Sequence, residues 1–459
     1  MNPITEKNEN RREFIKTTSK VAAVSALAGV SLPHVHADDG ETIQVALIGC
    51  GGRGTGAADN ALSVPNGNTK LVAMADVFPD KLENSYRSLK RRHEKTVDVP
   101  PERQFIGFDG YKNAIDCLKP GDVAIFTTPC AFRWVHYSYA IEKGVHVFME
   151  KPVTPDGPTS RKMLELNKKA KAKNLKVGVG LMVRHCRARQ ALHQKIMDGE
   201  LGDIMLMRAY RMSGPLVGFV EPNNSDMSPL MHQIRNFHGF IWLSGGNYSD
   251  FYIHQVDETS WMKNAWPVRC QATGGRHYRM DYIDQNFDSY SVEYTYADGT
   301  KLLMYGRNVI GCHNEFASYV HGTKGSGIVS TSGHAPGRCR TFSGQNFTRS
   351  EMTWEFPQPE ENPYQLEWND LIEAIRKDLP YNEVERGVYA SVASSMGRMA
   401  AHTGQVITFD QMLNHEHDMS PDTEKLTLDS DSPLPPDGDG KYPVPMPGIV
   451  KDREYRYLG

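Results

Sequence analysis

Cysteine is scarce in this chain: seven residues, at 50, 117, 130, 186, 270, 312 and 339, with no Cys-x-x-Cys pair among them. An odd, scattered set excludes a disulfide framework and a thiolate zinc site, leaving small buried apolar side chains as the reading. Excess basic charge is also lacking. With 52 Lys and Arg against 55 Asp and Glu, the net charge is −3, and nothing points to nucleic acid. Nor is there an apolar run near the roughly 20 residues that cross a bilayer, so no membrane span is expected in the mature chain. Internal repeats are absent too. What remains is an ordinary globular composition, 39% hydrophobic and 23% charged over 459 residues. That is enough for a large core and two domains.

The N-terminus carries an address. Asn10-Arg-Arg-Glu-Phe-Ile-Lys16 resembles a twin-arginine export signal, followed by a mild apolar run from Val21 to Leu32 and the small-residue site Val35-His36-Ala37. Cleavage after Ala37 makes residues 1–37 a signal peptide and shifts the net charge to −5. The twin-arginine machinery is then a transient partner and the destination is periplasmic or otherwise extracytoplasmic. Such export, as the resemblance implies, moves folded proteins. A cofactor acquired before export would have to be held tightly and regenerated within the catalytic cycle.

From Ile43 to Leu181 short apolar strands alternate with helical stretches, the pattern of a parallel sheet covered on both faces. Strands are predicted at 43–48, 70–75, 123–127, 145–149 and 176–181, with helices at 53–62, 79–92, 133–143 and 159–173. The class is α/β, with a Rossmann-type doubly wound sheet over residues 38–182. The first strand ends in Gly49-x-Gly51-Gly52-Arg53-Gly54. In that position glycines permit a tight turn, backbone approach to a pyrophosphate and close helix packing, while the helix N-terminus favours anions. Asp76 closes the second strand. A carboxylate there accepts ribose hydroxyls and repels a 2'-phosphate, so NAD is favoured over NADP, with Arg53 and Lys81 as the residues that could argue otherwise.

Next come Thr127-Thr128-Pro129, His136, and Gly144-Val-His-Val-Phe-Met-Glu150-Lys151-Pro152. With the glycine motif and Asp76 these resemble, in order and spacing, the glucose-fructose oxidoreductase, inositol dehydrogenase and MocA family, over most of Ile43 to about Gln405. The resemblance implies a nucleotide site built from Gly49, Gly51, Gly52, Arg53, Gly54, Asp76, Thr128, Pro129, His136, Glu150, Lys151 and Pro152, and a cis bond before Pro152. Lys151 falls at the end of a central strand, facing the crevice where ligands of such sheets bind. Its ammonium can polarise a hydroxyl or carbonyl oxygen.

Residues 183–410 read as an α+β domain with an open antiparallel sheet. Alternating strands are predicted at 205–212, 268–274, 289–296 and 301–305, the last two joined by the Ala297-Asp-Gly-Thr300 turn. Helices at 364–377 and 384–403 would pack back on the nucleotide domain. Family resemblance implies a free sheet face used for dimers or tetramers. Asp250 and His254, four apart on a helix, share a face and match the family's Asp-x-x-x-His pattern. On that match His254 takes a hydroxyl proton and Asp250 tunes the imidazole. Arg184, His185, Arg235 and Trp242 are candidates for holding sugar hydroxyls. His232, His238, His254 and Asp257 lack a recognised ligand spacing, so no metal is expected. The segment 411–459, rich in proline, should lie extended.

Three functions are compatible with this sequence. The first is an exported NAD(P)-dependent oxidoreductase passing hydride between a sugar or polyol hydroxyl and a tightly bound nicotinamide. The second is a glycoside hydrolase or lyase working by transient oxidation at C3, similar to the family 109 glycosidases. Those enzymes carry an altered Glu-Lys-Pro and a Thr-His motif, whereas Lys151 and Asp250 are present here. The third is a sugar- or nucleotide-binding protein without chemistry.

Overall fold

The computed structural model describes residues 41–456 apart from 66, 215, 216, 280 and 332. The export signal over residues 1–37 lies outside the described residues. Among them, no helix is long and apolar enough to cross a membrane.

Six parallel strands form the first sheet: β1 (Ile43–Ile48), β2 (Thr69–Asp76), β3 (Gln104–Ile106), β4 (Val123–Phe126), β5 (His146–Met149) and β6 (Val177–Val179), in the order β3-β2-β1-β4-β5-β6. The central strands are near-continuous buried apolar runs because helices cover both faces. Those helices are α1 (Gly52–Leu62), α2 (Pro79–Arg92), α3 (Gly110–Ile115), α4 (Arg133–Lys143) and α5 (Gly157–Ala172). β3 and α3 are too short for the periodic pattern to reveal them.

A second sheet of nine strands follows. It contains β7 (Ile204–Ser213), β8 (Arg269–Gly275), β9 (Ser289–Thr295), β10 (Lys301–Asn308), β11 (Glu315–Gly322), β12 (Ser326–Ser330), β13 (Arg340–Phe342), β14 (Met352–Glu355) and β15 (Ile407–Thr408). Their order is β14-β13-β12-β11-β7-β10-β9-β8-β15. It is antiparallel except where β10 runs parallel to β7. The class is therefore α/β with a Rossmann-type sheet and a mostly antiparallel one. Helices α6 (Arg187–Met197), α7 (Ile253–Lys263), α8 (Pro363–Arg376) and α9 (Val384–Thr403) complete the frame. α8 packs on α1, with Trp368, Leu371 and Ile375 entering the apolar cluster of the first sheet.

The proline-rich C-terminal stretch, mostly without regular structure, buries Leu434, Tyr442, Val450 and Tyr455 against the chain itself. Glu454 is buried too, and both its oxygens meet Arg398 of α9, at 2.7 Å and 2.8 Å. Arg398 in turn donates to the Gly245 carbonyl at 3.0 Å and to Ser249 Oγ at 2.8 Å. The tail thus braces the segment that leads into Asp250.

Candidate functional site

β1 ends where backbone must turn sharply. Gly49 has φ +94°, and a Cβ there would come within 2.8 Å of the Thr127 and Thr128 backbone. At Gly54 a Cβ would lie 2.0 Å from the Gly49 carbonyl, so only glycine lets α1 pack this closely on the turn. Gly51 and Gly52 differ: a Cβ on either meets nothing within 4 Å. Gly51 caps α1 with no side-chain hydrogen bond, leaving the helix N-terminus to donate to a ligand.

Asp76, at the end of β2, accepts from Cys50 N at 2.6 Å and Phe78 N at 2.9 Å. Burial pushes its carboxyl above the ordinary range, opposed by these backbone donors. Arg53 is engaged by Glu150 at 2.5 Å and Glu367 at 3.4 Å and lies over the Tyr364 ring. Its part in a phosphate site is accordingly reduced, and Lys81 is left as the cation beside Asp76 on the cavity wall. His136 has Thr128 Oγ1 3.3 Å from its Nδ1, and burial pushes it down to about 3, with Arg133 contributing. It is neutral at pH 7.

Most of these groups line one cavity of about 640 Å³. Gly49, Gly51, Gly52, Arg53, Gly54, Asp76, Thr128, Pro129, His136, Glu150, Lys151 and Pro152 are on its wall, as are Asp250 and His254. The Lys151–Pro152 peptide is cis. Lys151 Nζ donates to the Asp250 backbone carbonyl at 2.5 Å and to its Oδ1 at 3.1 Å. The other carboxylate oxygen of Asp250 meets His238 Nδ1. Burial pushes the Asp250 carboxyl up, but Lys151 and His238 outweigh it and hold the group at about 2. This arrangement corrects one expectation. Asp250 and His254 share the cavity, but the carboxylate grips Lys151 and His238, while His254 Nδ1 is buried without a hydrogen-bond partner. Burial, then the charges of its neighbours, hold His254 well below its ordinary value, so it is a neutral imidazole.

Of the four residues expected to hold a sugar, only Arg235 reaches the cavity, and its guanidinium pairs with Asp80 at 2.9 Å. The others are structural. Arg184 forms a two-pronged pair with Asp257 at 2.9 Å and 2.7 Å. His185 is clamped between Asp370 at 2.7 Å and Glu383 at 3.1 Å. Trp242 is wholly buried and donates to Gln233 at 2.7 Å. Position near a motif had suggested them, but each satisfies its polar atoms inside the fold. Among the described residues no group of acidic, His or Cys side chains is arranged to hold a metal.

Sequence reasoning passed over three lining residues: His238 as a partner of Asp250, Arg211 on β7, and His334, whose ring centroid lies 4.2 Å from that of His254. Only the spacing of β7 hinted at Arg211, one of two arginines in a strand that pairs with β11 far along the chain.

No family model matches the chain. Over 205 residues it is 24% identical to inositol 2-dehydrogenase of Corynebacterium glutamicum, covering 45% of this chain and 55% of that one. Over 116 residues it is 29% identical to glycosyl hydrolase family 109 protein 1 of Bacteroides thetaiotaomicron, covering 24% of this chain and 22% of the other. It thus spans from about a fifth to just over half of the length of these curated relatives. A scyllo-inositol dehydrogenase from Lactobacillus casei, solved with bound cofactor NAD(H) and scyllo-inositol, superposes with TM-score 0.57 at 20% identity, over 81% of this chain and all of its own. By partial sequence matches the chain is similar to an inositol 2-dehydrogenase and to a family 109 glycosyl hydrolase, and over four-fifths of its length it shares the fold of a scyllo-inositol dehydrogenase.

Proposed function

We propose that this chain is an NAD-dependent oxidoreductase acting on a secondary hydroxyl of a sugar or polyol, exported by the twin-arginine route with its cofactor resident. One observation carries the reading. A single cavity runs from the glycine turn and Asp76 to Lys151 and His254, so a dinucleotide at one end and a hydroxyl at the other would lie in the same enclosure.

The residues present fit NAD. The open space at Gly51 and Gly52 and the uncapped N-terminus of α1 form a cradle for a pyrophosphate. Asp76 has a carboxylate for ribose hydroxyls, and Thr128, Pro129 and Glu150 continue the wall toward Lys151. Bound there, NAD supplies a hydride acceptor and donor. His254, a neutral imidazole on the cavity wall, takes the hydroxyl proton. Lys151 steadies the oxygen as its charge changes. Asp250 holds Lys151 in place through two hydrogen bonds and fixes His238 at the cavity edge. Without fresh NAD outside the cytoplasm, a second sugar or the same one must return the hydride, which gives ping-pong kinetics.

The partial match to a family 109 glycosyl hydrolase supports a second reading, transient oxidation followed by elimination and reduction. Retention of Lys151 and Asp250 supports the first. The test is to denature the purified mature protein, identify released nucleotide, and follow absorbance near the reduced-nicotinamide band with a panel of sugars and glycosides. Stoichiometric NAD(H) that changes redox state with one sugar is expected. Glycoside cleavage without net redox change would favour the second reading, and no bound nucleotide would overturn the resident cofactor. Asp76→Ala should lower nucleotide retention first, by about tenfold or more, before any effect on the chemistry.

A further inference from the structure

The wall around His254 carries more positive charge than the protein balances. Lys151 has Asp250; Arg189, behind the His334 loop, has Glu258 at 2.9 Å; Arg133 donates to the Phe126 and Thr128 carbonyls. Arg211 stands apart. Its Nε and Nη1 are buried with no hydrogen-bond partner, and no acidic side chain pairs with it among the described residues. Its guanidinium carbon sits 3.7 Å from the centroid of Phe316, its register partner across β7 and β11. That stacking offsets part of the desolvation and satisfies no N–H. Burial lowers the guanidinium to about 10, still charged at pH 7.

The neighbouring elements keep the region a donor surface. His334 is fixed by its own carbonyl, which accepts from Arg189 Nη1 at 2.8 Å, and it packs edge-on against Phe316 as well as beside His254. Both imidazoles are held neutral by burial and by each other's cationic neighbours, so each retains one N–H to donate. A largely buried guanidinium without a counter-ion is unfavourable unless an anion arrives from outside the fold.

We propose that the substrate carries an oxyanion substituent, a carboxylate in the first instance, that docks on Arg211 beside His334 while its hydroxyl meets Lys151 and His254. The substrate class is thus a sugar acid in place of a neutral sugar. A guanidinium on the cavity wall suits a carboxylate, to which it can give charge-assisted hydrogen bonds. A sulfate ester offers the same oxyanion chemistry and is separated by experiment. This inference rests on the oxidoreductase reading for the hydroxyl but not for the anion.

The experiment uses the purified mature protein with whatever nucleotide it retains. Binding is measured by calorimetry, independently of redox, for glucose against glucuronate, galactose against galacturonate, and glucose 6-sulfate; redox state is followed in parallel. At least one acid should bind about 10- to 100-fold more tightly than its neutral parent, as charge-assisted hydrogen bonds of this kind provide. In Arg211→Gln that preference should vanish with nucleotide content unchanged, and Arg211→Lys should restore only part of it. Preference for the sulfate ester over every acid would move the ligand to that source. Equal binding of acid and parent, no binding of either, or loss of nucleotide from Arg211→Gln would overturn the proposal. Acid preference without any redox change would retain the anion site and sink the oxidoreductase reading; redox with neutral sugars alone would do the reverse.

Discussion

The two ends of the cavity are built on opposite electrostatic plans. At the glycine-turn end the charges find partners in the chain: Arg53 with Glu150 and Glu367, Arg235 with Asp80, Asp76 with two backbone N–H groups. At the other end Arg211 Nε and Nη1 and His254 Nδ1 are buried without partners. Buried polar groups are almost always hydrogen-bonded, and the exceptions require a reason. At the first end the charged groups Arg53 and Arg235 have acidic partners, and a ligand is offered backbone donors and open space. At the second, Arg211 has no acidic partner among the described residues, so it is ion pairing that separates the two ends.

The contrast is broken most sharply by truncating the reacting end. Lys151→Ala and His254→Ala should each lower turnover by about two orders of magnitude or more, with bound nucleotide retained. If nucleotide and activity fall together, the two residues support the cofactor site and the division between the ends is misplaced. Next in size is a cut at the paired end. Arg53→Ala leaves Glu150 and Glu367 facing each other, and burial already pushes Glu367 well above the ordinary carboxyl range. Denaturant unfolding should show a loss of about 2 kcal/mol, below the 3–5 typical of a fully buried pair, because Arg53 is 34% exposed.

The same division governs what could be read from sequence. The glycine turn, Asp76 and Glu150-Lys151-Pro152 are local: each follows from a strand, a turn or a helix start within a few residues, and β1, α2 and α4 fall where periodicity puts them. Asp250 and His254 came from a short motif, so their presence in the cavity was legible. Asp250's partners were not, because His238 is on a separate turn and Lys151 lies just past β5, about a hundred residues earlier in the chain. Arg184, His185 and Trp242 misled for the converse reason. Their partners, Asp257, Asp370 with Glu383, and Gln233, are brought in by folding, and only those contacts reveal that the side chains are spent on structure. Arg211 stands out by the partners that its Nε and Nη1 lack, which no spacing can express.

A smaller effect sharpens the comparison from the stability side. Arg211→Met removes an uncompensated buried charge and keeps an apolar side chain against Phe316, so unfolding in the absence of substrate should show stability unchanged or raised by up to about 1 kcal/mol. A loss above about 2 kcal/mol would mean that Arg211 is a scaffold residue like Arg53.

The smallest effect is a displacement of a pH profile. In the oxidation direction His254 must be neutral to accept a proton. Burial, His334, Lys151 and Arg211 all lower its pKa, so the acidic limb of kcat/KM should fall below pH 6.5, with the rate retained as pH drops through that value. Removing one positive neighbour raises an imidazole's pKa, and Arg211→Gln should move the limb upward. An acidic substrate bound to Arg211 cancels the same charge in the wild type. The limb of kcat, which reports the complex, should then lie above that of kcat/KM, and the gap should close in Arg211→Gln. A kcat/KM limb at or above 6.5 in the wild type would remove His254 from the role of base and leave Lys151 to carry the proton.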